Sequence, residues 1–160
     1  MKTELLKLLS RNSRYTARQL GDMLGADEKE VAKQIKELEK EGVICGYKAV
    51  IDWESLEGPP VSAIIEIKVV PKADLGFEEV AEKIAAYSEV ESVYLMSGGY
   101  DLNVVVKGRT LKDVAQFVAR ELATIDSVTS TATHFVMRRY KEMDVCLFES
   151  EKDDRGNILI

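Results

Sequence analysis

Two groups of residues in this chain have the types and spacing to do chemistry. The first lies in DEKEVAKQIKELEKE, residues 27–41, where Lys29, Lys33, Lys36 and Lys40 recur at i, i+4, i+7 and i+11. At about 100° per residue they share a sector of roughly 60°, with Val31, Ile35 and Leu38 on the opposite side. Ammonium groups aligned in this way suit phosphates, because each neutralised phosphate releases a counterion. Side chains near the N-terminus of a groove-binding helix reach base edges. Glu28, Lys29, Ala32 and Lys33 are therefore the candidate base readers, and a glutamate there has a partner in the cytosine amino group. Lys36, Arg14, Arg18 and Lys48 are the candidate phosphate contacts, with Tyr47 placed near the DNA backbone. Taken alone, the stripe fits equally well a solvated face braced by i,i+4 pairs such as Lys33 with Glu37.

The second group is the turn Ser97-Gly98-Gly99-Tyr100-Asp101. Glycines expose backbone N–H groups that can meet a carboxylate, since no Cβ blocks the approach. Asp101 then either receives an α-ammonium or orients the turn. The plain alternative is a hairpin turn and a local cap. Thr131 and Thr133, on one face of a later strand, offer hydroxyls from a neighbouring subunit, or are simply good strand formers. His134 is the only histidine, and without a paired acid or base it reads as strand decoration. Cys45 and Cys146 lack the spacing of a zinc site or a disulfide framework. No Ser-His-Asp set, phosphate loop or metal cluster is present, so no catalytic residue, cofactor or metal is assigned.

The elements that must position these residues fall in two blocks. Residues 2–10 form a first helix, with Leu5, Leu6, Leu8 and Leu9 as its apolar side. Thr16 caps a second helix, TARQLGDML, whose Ala17, Leu20 and Leu24 point inward and which Gly25 closes. Asp27 caps the third and forms a capping-box-like D-x-x-E with Glu30, and Gly42 stops it. Residues 43–52 (VICGYKAVID) alternate as a strand or wing. A short helix, a tight turn and a following helix with a basic outer face make the pattern of a helix-turn-helix.

Glu57-Gly58-Pro59-Pro60 is the strongest boundary signal. Beyond it the pattern predicts a strand over 61–70, a helix over 77–87 (Val80, Ala81, Ile84 and Ala85 inward) and a strand over 90–96. A strand over 102–107 follows, then a helix over 111–125 and a strand over 127–138. The later of these helices turns Val114, Phe117, Val118, Leu122 and Ile125 inward. This order is the split βαβ, ferredoxin-like plan: four antiparallel strands with two helices on one face and an open face that must be solvated, bind or pair. Trp53 and Tyr47 flank the connecting strand and are read as packing between head and body. The tail from Glu142 ends in Ile158-Leu159-Ile160 and is expected to add a strand at 145–148 or to lie on a neighbour.

A net charge of −6 is unevenly spread: residues 1–44 hold nine lysines and arginines against eight acids, leaving 13 against 20 for the rest. Screening over about 8–10 Å makes the local face matter more than the distant acidic body. No apolar run approaches the roughly 18 residues of a membrane span. Met1-Lys2-Thr3 leads directly into an amphipathic segment, so no signal peptide and a cytoplasmic location are expected.

A winged helix-turn-helix joined to a βαββαβ domain resembles the Lrp/AsnC (leucine-responsive, feast/famine) transcription regulators over about residues 1–141. The specific words are Leu38-Glu39-x-x-Gly42-Val43-Ile44-x-Gly46-Tyr47, then Gly99-Tyr100-Asp101-Leu102, then Thr131-x-Thr133. The chain departs from the pattern at Gln34, where the family usually has arginine, and at its opening KTELLKLL. The resemblance implies an α+β chain with a winged helix-turn-helix at 1–52, a linker at 53–60, a RAM/AsnC-type effector-binding and oligomerisation domain at 61–141 and a tail at 142–160. It implies homodimers pairing sheet to sheet, tetramers or octamers built from them, and double-stranded DNA as partner. It also implies a small effector, an amino acid, bound between dimers near the Gly-x-Tyr-Asp turn. No enzyme activity and no membrane partner are implied; a sirohaem decarboxylase-like subunit on the same fold is the alternative.

Overall fold

The computed structural model describes residues 1–70 and 76–147. The chain divides into two compact units, residues 1–50 and a second beginning at Ile51.

The first unit is three helices, α1 (Lys2–Arg11), α2 (Ala17–Leu24) and α3 (Glu28–Lys40). Its core is Leu5, Leu9, Leu20, Val31 and Leu38, with Leu6, Leu8, Ala17, Leu24, Ile35 and Ile44 packed around them. α2 begins with a full capping box: Thr16 Oγ1 accepts from the Gln19 N–H, and the Gln19 side chain accepts from the Thr16 N–H. At α3 the box expected between Asp27 and Glu30 is replaced by a simpler cap, in which Asp27 accepts from the Lys29 N–H at 2.9 Å. Gly25 (φ 65°) ends α2 and Gly42 (φ 71°) follows α3, both in the left-handed region that lets the chain turn sharply. Residues 43–52, expected as a strand or wing, form no β-ladder among the described residues. An alternating sequence makes an extended segment, but a strand also needs a neighbour to accept its hydrogen bonds.

The second unit contains β1 (Val61–Val69), α4 (Glu78–Ala85), β2 (Val90–Leu95), β3 (Leu102–Gly108), α5 (Leu111–Phe117) and β4 (Val128–Phe135). The sheet order is β2-β3-β1-β4, with all pairs antiparallel. α5 continues as a π-helical turn, Val118–Leu122, so one helical element carries Val114, Phe117, Val118 and Leu122, and Ile125, in the turn just beyond it, is buried with them. The period of two sends Ala63, Ile65, Ile67 and Val69 of β1, with Leu102, Val104 and Val106 of β3, to the face that the helices cover. Val80 and Ile84 meet them from α4, whereas Ala85, expected inward, is exposed.

Residues 53–60, expected as a linker, include a 3₁₀ turn (Trp53–Ser55), and Glu54 accepts from the Arg139 N–H at 2.8 Å. Part of the tail is structured: β5 (Lys141–Glu142) pairs with β6 (Val145–Cys146) in a hairpin whose turn residues Met143 and Asp144 have φ of 44° and 67°. Phe148 and Ile158–Ile160 lie outside the described residues.

Gly21 marks the tightest approach in the helical unit, because a Cβ there would lie 2.7 Å from the Ala26 carbonyl oxygen. Gly21→Ala is expected to destabilise that unit by at least about 1 kcal/mol, since overpacking against backbone outweighs the gain in helix propensity. Urea unfolding followed by helix circular dichroism reads this directly.

Candidate nucleic-acid interface and effector turn

α3 is held from below and free above. Val31 and Leu38 are buried, while Lys29, Lys33, Lys36 and Lys40 are exposed. Lys29, Ala32, Lys33, Lys36, Glu37 and Lys40 line one shallow depression of about 440 Å³ along the helix. The predicted lysine face is therefore a single continuous surface. Lys33 lies 3.9 Å from Glu37, both largely exposed. A pair of that kind contributes only a few tenths of a kcal/mol and yields readily to a phosphate.

Glu28, Arg14, Arg18 and Lys48 are also exposed. Tyr47, expected near the DNA backbone, is exposed and its hydroxyl donates to Glu39 Oε1 at 2.9 Å. Partial burial, and then this bond to Glu39, push the phenol above its ordinary pKa, so it remains a donor at neutral pH. Gln34, where an arginine was expected, is not on the lysine face; its Oε1 is buried with no partner among the described residues. Trp53 is partly exposed and lines a small cleft with Pro59, Pro60 and Arg139 inside the second unit.

The candidate effector turn lies between the end of β2 and the start of β3. Met96 N–H donates to the Asp101 carbonyl at 2.8 Å, and Asp101 N–H donates to the Ile67 carbonyl at 3.0 Å. The β1–β4 register slips at Lys68/Val69, and Asp101 Oδ2 accepts the Val69 N–H at 2.7 Å. This oxygen satisfies a backbone donor of β1 and ties the turn to that strand. Tyr100 is tied as well, since Asn103 Nδ2 donates to its hydroxyl at 3.1 Å. Ser97, Gly98 and Gly99 are exposed, and nothing within 4 Å would obstruct a Cβ on either glycine.

Thr131 and Thr133 stand opposite Ile67 and Ile65, so their side chains share the helix-covered side of the sheet, half-buried. Thr131, Ile67, Leu102 and Leu95 form one row. The row places Thr131 two strands from Leu102, about 10 Å. His134 is exposed on the opposite face, with Nε2 3.6 Å from Glu66 Oε1, a pair sequence reasoning missed because the two are 68 residues apart. Among the described residues no group of histidines, cysteines and acids is arranged to hold a metal ion. Nor is any described helix long and apolar enough to cross a membrane.

With this geometry in view, the comparisons with known proteins are direct. Residues 62–145 match the Lrp/AsnC ligand binding domain, and residues 2–44 match a winged helix-turn-helix DNA-binding domain. The chain is 49% identical to an uncharacterized HTH-type transcriptional regulator, YugG, of Bacillus subtilis (strain 168), over 96% of this chain and 92% of that protein. It is 29% identical to the leucine-responsive regulatory protein of Haemophilus influenzae, over 87% of this chain and 83% of that one. Its fold matches a transcriptional regulator from Neisseria meningitidis solved as an L-Met complex: TM-score 0.69, 22% identity, 88% of this chain and 90% of that one covered. The chain belongs to the Lrp/AsnC family of DNA-binding transcriptional regulators. It is a non-enzymatic regulator by this kinship, and the decarboxylase alternative is not favoured.

Asp101→Ala is expected to leave the Val69 N–H unpaired and to cost about 1–3 kcal/mol of stability. Asp101→Asn keeps an acceptor oxygen and should recover most of it. Chemical denaturation of the two variants side by side is the measurement.

Proposed function

We propose that this regulator reads DNA with the lysine face of α3 and responds to an amino acid at the Ser97–Asp101 turn. The observation that carries the first part is the continuous surface made by Lys29, Ala32, Lys33, Lys36 and Lys40 on a helix whose opposite side is buried. Glu28, Lys29, Ala32 and Lys33 read base edges from the first turns of the helix. Lys36, Arg14, Arg18 and Lys48 contact phosphates, and Tyr47 supports them through its bond to Glu39. Two heads in a two-fold dimer meet half-sites about one helical turn apart. The site of action is the cytoplasm.

The effector's carboxylate meets the backbone N–H groups around Gly98 and Gly99, on a turn that Asp101 and Tyr100 brace. Thr131 and Thr133 contribute hydroxyls from the edge strand of an adjoining copy. An amino acid fits this combination of donors, and the L-Met in the Neisseria structure is the precedent from a related fold. Dimers form by pairing of the open sheet faces, where Ile64 and Tyr94 are exposed, and dimers join into tetramers or octamers. Effector binding between dimers shifts the assembly and thereby the spacing of the heads, a coupling that is reciprocal.

Gel shifts on the DNA upstream of its own gene, across a salt series, test the DNA reading. Lys33→Ala and Lys36→Ala are each expected to weaken binding and to lower the salt slope by about one. Affinity without salt dependence or sequence preference would defeat it. For the effector, a thermal-shift screen of the twenty amino acids should give one clear stabiliser, about 2.7 kcal/mol at a hundredfold excess over Kd. Gly99→Val should abolish that shift while leaving DNA affinity in place. If no amino acid raises the melting temperature, the effector assignment falls.

A further inference from the structure

The open sheet face carries one feature that its role in pairing does not require. His134 on the edge strand β4 and Glu66 on the neighbouring β1 are 3.6 Å apart on that face, with side chains 58% and 37% exposed. They are diagonal neighbours: His134 stands opposite Ile64, and Glu66 opposite Ala132 on one side and Asn103 on the other. The flanking positions Ile64, Val105 and Ala132 are apolar and Asn103 stands beside Glu66, so the ionisable pair borders an apolar patch.

We propose that self-association through this face is linked to protonation of His134, with Glu66 as the partner that favours the protonated form. The inference rests on the reading that the open faces of two copies pair.

The other charged side chains of this face are accounted for. Lys68, two residues along β1 in register with Ser130, is exposed and disfavours a second positive charge, but Glu66 holds the closer position. Lys107 and Arg139 are already engaged with Glu91, at 3.5 and 3.9 Å. Arg139 also donates to the Ser62 hydroxyl at 2.7 Å.

The sign follows from what is buried. When two faces close, an imidazolium–carboxylate pair enters as a neutral unit. A neutral imidazole would leave Glu66 charged and unpaired in a low-dielectric seam, which is the costlier arrangement. Association therefore favours proton uptake. Self-association is tighter where the imidazole is protonated and weakens as the pH rises. An isologous pair carries two such sites, so the effect counts twice.

His134 is the chain's only histidine, the side-chain type whose charge ordinarily changes between pH 5 and 8. Sedimentation velocity of the full chain between pH 5.5 and 7.5, without DNA, isolates it. The dissociation constant is expected to rise on the order of tenfold across this window. His134→Gln and Glu66→Gln should each flatten the dependence, the first leaving an uncharged amide at an exposed position. A flat profile for the unsubstituted chain, or a slope that survives in His134→Gln, overturns the proton linkage while leaving sheet pairing intact. Self-association unchanged by Ile64→Arg would show that another surface makes the dimer, and both readings would fall.

Discussion

The burial of one face of β1 is the constraint from which the second unit follows. Ala63, Ile65, Ile67 and Val69 are dry or nearly so, and β1 lies between β3 and β4 in the middle of the sheet. A slip of one residue would expose all four and bury Glu66 and Lys68, so the register has no close competitor. With β1 set, pairing of Ile67 with Leu102 brings Asp101 to the Val69 N–H, and pairing with Thr131 turns the threonines toward the helices. The same alternation puts Glu66 and His134 together on the other face. The turn, the threonines and the ion pair are consequences of one strand's register.

The helical unit is organised differently. Five buried residues in 50 make a small core, and helix ends contribute disproportionately to such a unit. The capping box at Thr16, the cap at Asp27 and the left-handed glycines at 25 and 42 define where α2 and α3 begin and end. That precision aims the lysines. The weakness of their pairing with neighbouring acids matters as much, because a lysine locked in a strong ion pair is a poor phosphate ligand. The only pair formed by the stripe among the described residues is the 3.9 Å contact of Lys33 with Glu37.

Much of this was legible in the chain. The helical periodicity of residues 2–40 and the alternation of residues 61–69 and 102–107 correspond to elements of the structure, and the five inward positions between Val114 and Ile125 are all buried, the last just beyond the helix. What eluded sequence reasoning has a common cause. The box expected at Asp27 and the strand or wing expected at 43–52 each depend on which partner is within about 3 Å. The segment 43–52 found no neighbouring strand among the described residues. Asp101 accepts the Val69 N–H at the bulge of β1, a contact that no local pattern announces.

Sequence by itself determined the family, the order of elements and the face on which the lysines lie, because periodicity and capping are local and survive without knowledge of the rest of the chain. Only the tertiary structure decided which side of the sheet carries Thr131 and Thr133, what Asp101 holds, and that His134 meets Glu66. Those are cross-strand relations between residues 32 to 68 positions apart. Their physical basis is register, which a strand acquires only from its neighbours.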